Sequence, residues 1–172
     1  MRIPEFTIRY LGRDEARAWA AVGAPPGADL AVLTNQLIPL LHDAGHDSAE
    51  FIVAEGVDGR FLGTLRCAFP PGAPAEMLTP NIPDPAHVEE IGRGLMARFL
   101  AECWGRQAKQ IRGTLLLEPS LGNPAALRAL FAAMSFTPQG ERWVLTADLE
   151  SWSPTVDLAR LQYRSLHDVG NR

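Results

Sequence analysis

The chain has 172 residues, enough for one domain to bury a core without metal or disulfide staples. Apolar residues make up 47% and charged residues 21%, which excludes disordered and coiled-coil classes. The net charge of −4 argues against a protein built to neutralise many nucleic-acid phosphates.

The first element is Phe6-Thr7-Ile8-Arg9-Tyr10, whose alternation predicts a short strand. No apolar leader precedes it, and no apolar run reaches the roughly 20 residues that cross a bilayer. A cytoplasmic protein, away from membrane and nucleic acid, is the expectation. Ala16 to Val22 follows as a helix and is broken by Gly23 to Gly27. Leu30, Leu33, Leu37, Leu40 and Leu41 recur at helical spacing, with Pro39 expected to kink or split the helix. His42 and His46 stand four apart beside Asp43 and Asp47. Gly45 interrupts the helix that would bring them together, so they read as surface residues, and no metal is expected.

Phe51 to Ala54 reads as a strand, Asp58-Gly59 as a hairpin turn, and Phe61 to Cys67 as the return strand. Pro70 to Pro74 is a loop. Glu76 to Ile82 is a further strand, weakened at its end by Pro80. Asp84-Pro85 is an N-cap followed by proline at the first helical position. Val88, Ile91, Leu95, Met96, Phe99, Leu100, Cys103 and Trp104 then form one apolar stripe, with Gly105 placed to close the helix. Cys67 and Cys103 lie in apolar stretches without metal spacing and read as buried thiols. Ile111 to Leu117 reads as a central strand buried on both faces. Asn123-Pro124 starts another helix, with Leu127, Leu130, Phe131 and Met134 inward, and Phe136 to Gly140 and Arg142 to Leu149 read as two short strands.

Strands and helices thus interleave as β-α-α-β-β-β-α-β-α-β-β, a mixed α/β sheet with helices packed on it. This order resembles the GNAT N-acetyltransferase superfamily over residues 5–150. Three segments carry the likeness. Ile91-Gly92-Arg93-Gly94-Leu95-Met96 resembles the family's glycine loop running into its long helix. Asn123 through Phe136 resembles its later helix, with Ser135-Phe136 where the family has Gly-Phe. Gly140-Glu141-Arg142-Trp143 resembles its closing hairpin. The resemblance implies a mostly antiparallel sheet, splayed central parallel strands and helices on both faces. It assigns residues 1–150 to the domain and 151–172 to a C-terminal extension or the start of a second GNAT-like domain.

The resemblance further implies acetyl-CoA as co-substrate and a small-molecule or peptide amine as acceptor. The donor would lie between the strands at Glu76–Ile82 and Ile111–Leu117. The backbone of Met77, Leu78 and Thr79 would pair with its pantetheine arm. Gly92, Arg93 and Gly94 would present amides to its diphosphate at a helix N-terminus. Asn123 and Phe131, on the segment matching the later helix, would complete the donor contacts. Glu76 or Glu118 would take the amine's proton. The substrate wall would come from Ala28–His42 and the loops at Pro70–Pro74 and Thr79–Pro83.

The match has departures. The family's Gln/Arg-x-x-Gly-x-Gly/Ala loop fits in two registers, with Glu89 in the Gln/Arg position or with His87 there and Glu90 in place of the first glycine. Either register sets a carboxylate where diphosphate should lie. Asp84-Pro85 places the helix start near residue 85, which would put Gly92 and Gly94 inside it with their amides already bonded. Phe131 stands where the family has a proton-donating tyrosine. These departures support a second expectation, a degenerate GNAT-like domain without CoA that serves as a structural or interaction half. Tyr163-Arg164-Ser165-Leu166 echoes Ile8-Arg9-Tyr10-Leu11. That echo resembles tandem GNAT proteins and implies a homodimer or a tandem-domain partner.

Overall fold

The structure is a computed structural model that describes residues 5–22, 24, 27–43, 45–115 and 124–140. The chain divides into two units, Met1–Thr137 and Pro138–Arg172, and every element below belongs to the first. The expected strand at Arg142–Leu149 and the extension at 151–172 lie outside the described residues.

Alternation in the sequence sets the sheet. Strands β1 (Phe6–Tyr10), β2 (Phe51–Gly56), β3 (Phe61–Ala68), β4 (Ala75–Met77) and β5 (Ile111–Gly113) lie side by side in chain order. Neighbours are antiparallel except β4 and β5, which are parallel. Gly59, at φ +78°, makes the β2–β3 turn, with the Asp58 carboxylate accepting from the Arg60 amide at 3.1 Å. Along β2, Phe51 and Val53 enter one core while Ile52 and Ala54 enter the other. Such two-sided burial marks β2 as an interior strand.

Helices α1 (Ala16–Ala21) and α2 (Leu30–His42) cover one core, with Leu37 and Leu41 packed against Phe51 and Val53. Pro39 does not split α2, contrary to expectation. It stands in the last turn, and both it and Asn35, whose carbonyl loses its partner, are exposed to water.

Helix α3 (Val88–Gly105) packs on the other face, with Val88, Ile91, Leu95, Met96, Phe99 and Cys103 buried as the stripe requires. Trp104 falls off the stripe and is exposed, because one residue past Cys103 turns about 100° from the core. Gly105 remains helical. Gln107 takes the left-handed conformation at φ 56° and donates to the Trp104 carbonyl, while Ala108 donates to Cys103. These two bonds form a Schellman closure. Helix α4 (Pro124–Ala133) buries Leu127, Leu130 and Phe131 and closes the same way, with Ser135 at φ 65° and the Phe136 amide on the Phe131 carbonyl.

Close approach is made possible by glycine. A Cβ on Gly63 of β3 would stand 2.8 Å from Ile91 Cγ2 of α3, and one on Gly113 of β5 would stand 2.8 Å from Phe131 Cε1. Both separations are below van der Waals contact, so the helices rest directly on the strands here.

Three strand expectations need correction. The segment expected at Glu76–Ile82 is a strand only over Ala75–Met77, followed by an isolated bridge from Asn81 to Thr64. Pro80 cannot donate to a ladder, which limits the strand. Within Ile111–Leu117 the described strand is Ile111–Gly113, and it is not buried on both faces; residues 116 and 117 lie outside the described residues. Its first residues are Ile-Arg-Gly, and the apolar run starts only at Leu115. Residues 136–140 form no strand, because Phe136 is drawn onto Phe131 by the α4 closure, with ring centroids 5.4 Å apart.

Candidate active site

The path of β4 organises the site. Met77 pairs with Cys67, and three residues of β3 earlier Thr64 pairs with Asn81, four residues beyond Met77. The β4 side therefore carries one extra residue, a bulge, and it falls across Leu78–Pro80. Bulges bend a strand and re-aim its side chains. On the other side the parallel ladder to β5 continues through the Thr114 amide on the Met77 carbonyl at 2.9 Å. At the next step a regular ladder would bring the Thr79 amide to the Thr114 carbonyl. Here the Thr79 hydroxyl makes that bond, at 2.9 Å. A side chain thus bridges the two strands at the bulged segment.

Beside this bend, α1, α2 and the sheet enclose an open groove. Trp19, Leu33, Gln36, Leu40, Arg66 and Asn81 are among its lining residues. The Asn81 side-chain Nδ2 donates to the Val22 carbonyl at 2.7 Å, tying the end of α1 to the bulged segment. Trp19 meets Phe51 edge-on, with centroids 5.2 Å apart. The Arg66 guanidinium stands 5.7 Å from the centroid of the same Phe51 ring. Of the segment Ala28–His42, Leu33, Gln36, Leu37 and Leu40 line this groove. Asn81 falls in the expected Thr79–Pro83 loop, whereas Trp19 and Arg66 escaped the sequence reading. Arg66 carried a signal, as the one charged residue inside the apolar β3 segment.

The start of α3 is built differently from a diphosphate cradle. The Asp84 carboxylate accepts from the Ala86 amide at 2.9 Å, and a 3-10 turn at Pro85–His87 leads into α3. With α3 starting at Val88, the i to i−4 pattern commits the Gly92 amide to the Val88 carbonyl and the Gly94 amide to Glu90. Gly92 is buried, and a Cβ there would lie 2.4 Å from Leu130 Cδ2. Gly94 faces Phe6 and Ile8 of β1. The expectation that these amides hold diphosphate is corrected on both counts, since the amides are used within the helix and the glycines serve packing. Arg93 is half-exposed and pairs with Glu89 at 2.8 Å. Glu89 and Glu90 place two carboxylates on the first turn of α3.

Other expected residues are dispersed. Glu76 pairs with Arg112 of β5 at 3.0 Å, and its side chain is 47% exposed. Phe131 is a core aromatic, 7% exposed, between Gly113 and Phe136. Its burial corrects the expectation of a donor contact. Glu118 and Asn123 lie outside the described residues. Met77 is buried, Leu78 is exposed, and the Leu78 amide donates to the Arg66 carbonyl. Among the described residues no cluster of three metal-ligating side chains occurs, and no helix is long and apolar enough to cross a membrane.

The remaining titratable groups serve structure. Burial pushes the Cys103 thiol up to about 11 and Cys67 higher still, so neither offers a thiolate near neutral pH. Burial and a hydrogen bond to Glu102 also raise the Tyr10 hydroxyl, and Arg98 donates to its oxygen. Tyr10 packs with the α3-side core, across the sheet from the groove, so it cannot protonate a leaving group there. His46 leaves its Nδ1 buried without a partner while its ring packs on Phe51 at 5.6 Å.

Comparisons place this geometry among known folds. No family model and no curated protein sequence matches the chain. Solved structures do match. The aminoglycoside 6'-N-acetyltransferase of Acinetobacter baumannii superposes at a TM-score of 0.58 and 11% identity, over 84% of this chain and 99% of that one. A GCN5-related N-acetyltransferase from Ralstonia eutropha JMP134 gives 0.52 and 22% identity, over 84% and 100%. A further aminoglycoside N-acetyltransferase, in complex with CoA, gives 0.56 and 13% identity, over 86% and 97%. With its mostly antiparallel sheet, the β4–β5 parallel pair and helices on both faces, the chain has the GNAT fold.

Proposed function

We propose that the domain transfers an acyl group from an acyl thioester to an amine, and that it engages the donor through the pantetheine arm rather than the diphosphate. One observation carries this reading: β4 is bulged over Leu78–Pro80, with the Thr79 hydroxyl on the Thr114 carbonyl, and the same segment reaches the groove through Asn81. A bulged strand next to a groove is a common setting for a reaction centre. The GNAT fold supports the reaction class, and the CoA complex of one fold neighbour supports acetyl-CoA as the natural donor.

The start of α3 does not fit a diphosphate. Asp84 already occupies the Ala86 amide, Pro83 and Pro85 have no amide hydrogen to offer, and Glu89 and Glu90 add like charge. Two like charges a few ångströms apart at partial exposure repel by about 1 kcal/mol or more. The donor's activated carbonyl is the chemistry a thioester supplies. This chain's part is to position it along Met77–Thr79 and to hold the amine in the groove. Glu76 is held as an ion pair by Arg112, so water is the simpler proton acceptor.

A second reading rests on that same helix start: the domain binds no acyl donor and serves as an interaction half. Release of free thiol from acetyl-CoA and from S-acetylpantetheine, measured with a panel of amines, separates the two. Amine-dependent thiol release from both donors supports acyl transfer. No release, with no melting-temperature shift at millimolar donor, supports the second reading.

A further inference from the structure

We propose that the groove between α1, α2 and β3 binds an amine that carries its own carboxylate on an apolar body, as an apolar α-amino acid does. This rests on the acyl-transfer reading only for calling that ligand the acceptor. The charge pattern makes the argument. Among the described residues Arg66 is the one charged residue lining the groove, and no aspartate or glutamate lines it. Among the described residues Arg66, like Arg13, Arg17 and Arg128, has no carboxylate partner, whereas Arg9, Arg60, Arg93, Arg98, Arg106 and Arg112 each have one; of the four unpaired, Arg66 is the one that lines the groove.

The guanidinium lies near the Phe51 ring, a contact that positions it while leaving its donors for an anion. A guanidinium fork matches a carboxylate in two parallel hydrogen bonds. Trp19, Leu33, Leu37 and Leu40 offer apolar surface to the ligand's body, and Gln36 and Asn81 supply neutral polar groups. A polycationic amine would meet Arg66 with no carboxylate to offset it, and the groove rejects such ligands.

Calorimetric titration of the full chain tests this without any acyl donor. The probes are leucine, leucinamide, which lacks the carboxylate, and spermidine, a polycation. Leucine should bind at least tenfold more tightly than leucinamide, and spermidine should bind weakest. Arg66→Gln should erase the leucine preference, and Arg66→Lys should restore part of it. Equal affinities for leucine and leucinamide, tighter binding of spermidine, no binding of any probe, or a preference that survives Arg66→Gln would each overturn the proposal. Thiol release from acetyl-CoA is scored separately. Leucine binding through Arg66 without any turnover would sink the acyl-transfer reading and leave the groove's selectivity standing.

Discussion

Replacing Gly92 and Gly94 by alanine, one at a time, tests whether these glycines pack or bind. Each sits inside α3, where alanine is favoured over glycine by about 1 kcal/mol. At Gly94 the new methyl would lie 3.3 Å from Ile8 Cδ1 and Phe6 Cε2, both ends of partly buried side chains that can give a few tenths of an ångström. Gly94→Ala should therefore be neutral or stabilise by up to ~1 kcal/mol. At Gly92 the methyl would lie 2.4 Å from Leu130 Cδ2, and Leu130 is 1% exposed in the packed core. Overpacking there costs about 1–3 kcal/mol, more than the helix gains. Gly92→Ala should thus destabilise by roughly 1 kcal/mol, which lowers Tm by about 2–4 °C in a chain of this size. Urea unfolding and thermal melts of the two variants provide the assay. If Gly92→Ala stabilises as much as Gly94→Ala, the α3–α4 packing argument is wrong. If Gly94→Ala leaves stability intact but abolishes acetyl-CoA binding, that glycine serves the donor after all.

Three further outcomes follow from the same structure. Ser135→Gly should stabilise by roughly 1 kcal/mol in urea unfolding, because Ser135 holds a left-handed conformation that glycine adopts without strain. Hydrogen bonds from Arg9 hold the Glu15 carboxyl below its usual range, and those from Arg106 do the same for Asp47. Depressed carboxyl values give stability that is fully present above the ordinary carboxylate range near pH 4 and lost as pH falls through the lower folded values. Both pairs are partly exposed, so each contributes about 1 kcal/mol or less, and the urea midpoint should fall less steeply below pH 4 in Arg106→Gln than in the parent. Both cysteines are buried and their thiols raised, so neither should react with a disulfide reagent at pH 8 until urea unfolds the chain. Fast labelling of the folded protein would contradict their burial.

Periodicity made much of this fold legible. Phe6–Tyr10, the Asp58-Gly59 hairpin and the Val88–Cys103 stripe all follow from local pattern, and Asp84-Pro85 placed the start of the helical segment correctly. What pattern missed was set by tertiary context. The early end of β4 reflects a bulge defined only by its pairing with Thr64 and Cys67. Left-handed closure at Gln107 and Ser135 carries no glycine to announce it. The groove was harder still, because Trp19, Arg66 and Asn81 come from three distant segments joined by packing on Phe51 and a hydrogen bond to Val22. The glycines of the apparent loop were legible as a motif, but their role depends on Leu130, Phe6 and Ile8, which no local pattern names.

The most direct test of the account compares the affinities of acetyl-CoA and S-acetylpantetheine for the same protein by calorimetry, at low and high salt. A donor engaged along Met77–Thr79 and not at α3 should give dissociation constants within about fivefold of each other, a difference of ~1 kcal/mol. Added salt should, if anything, tighten acetyl-CoA slightly by screening its diphosphate from Glu89 and Glu90. Acetyl-CoA binding a hundredfold more tightly than S-acetylpantetheine, and weakening as salt rises, would contradict the account by revealing a diphosphate grip that the start of α3 is not built to make.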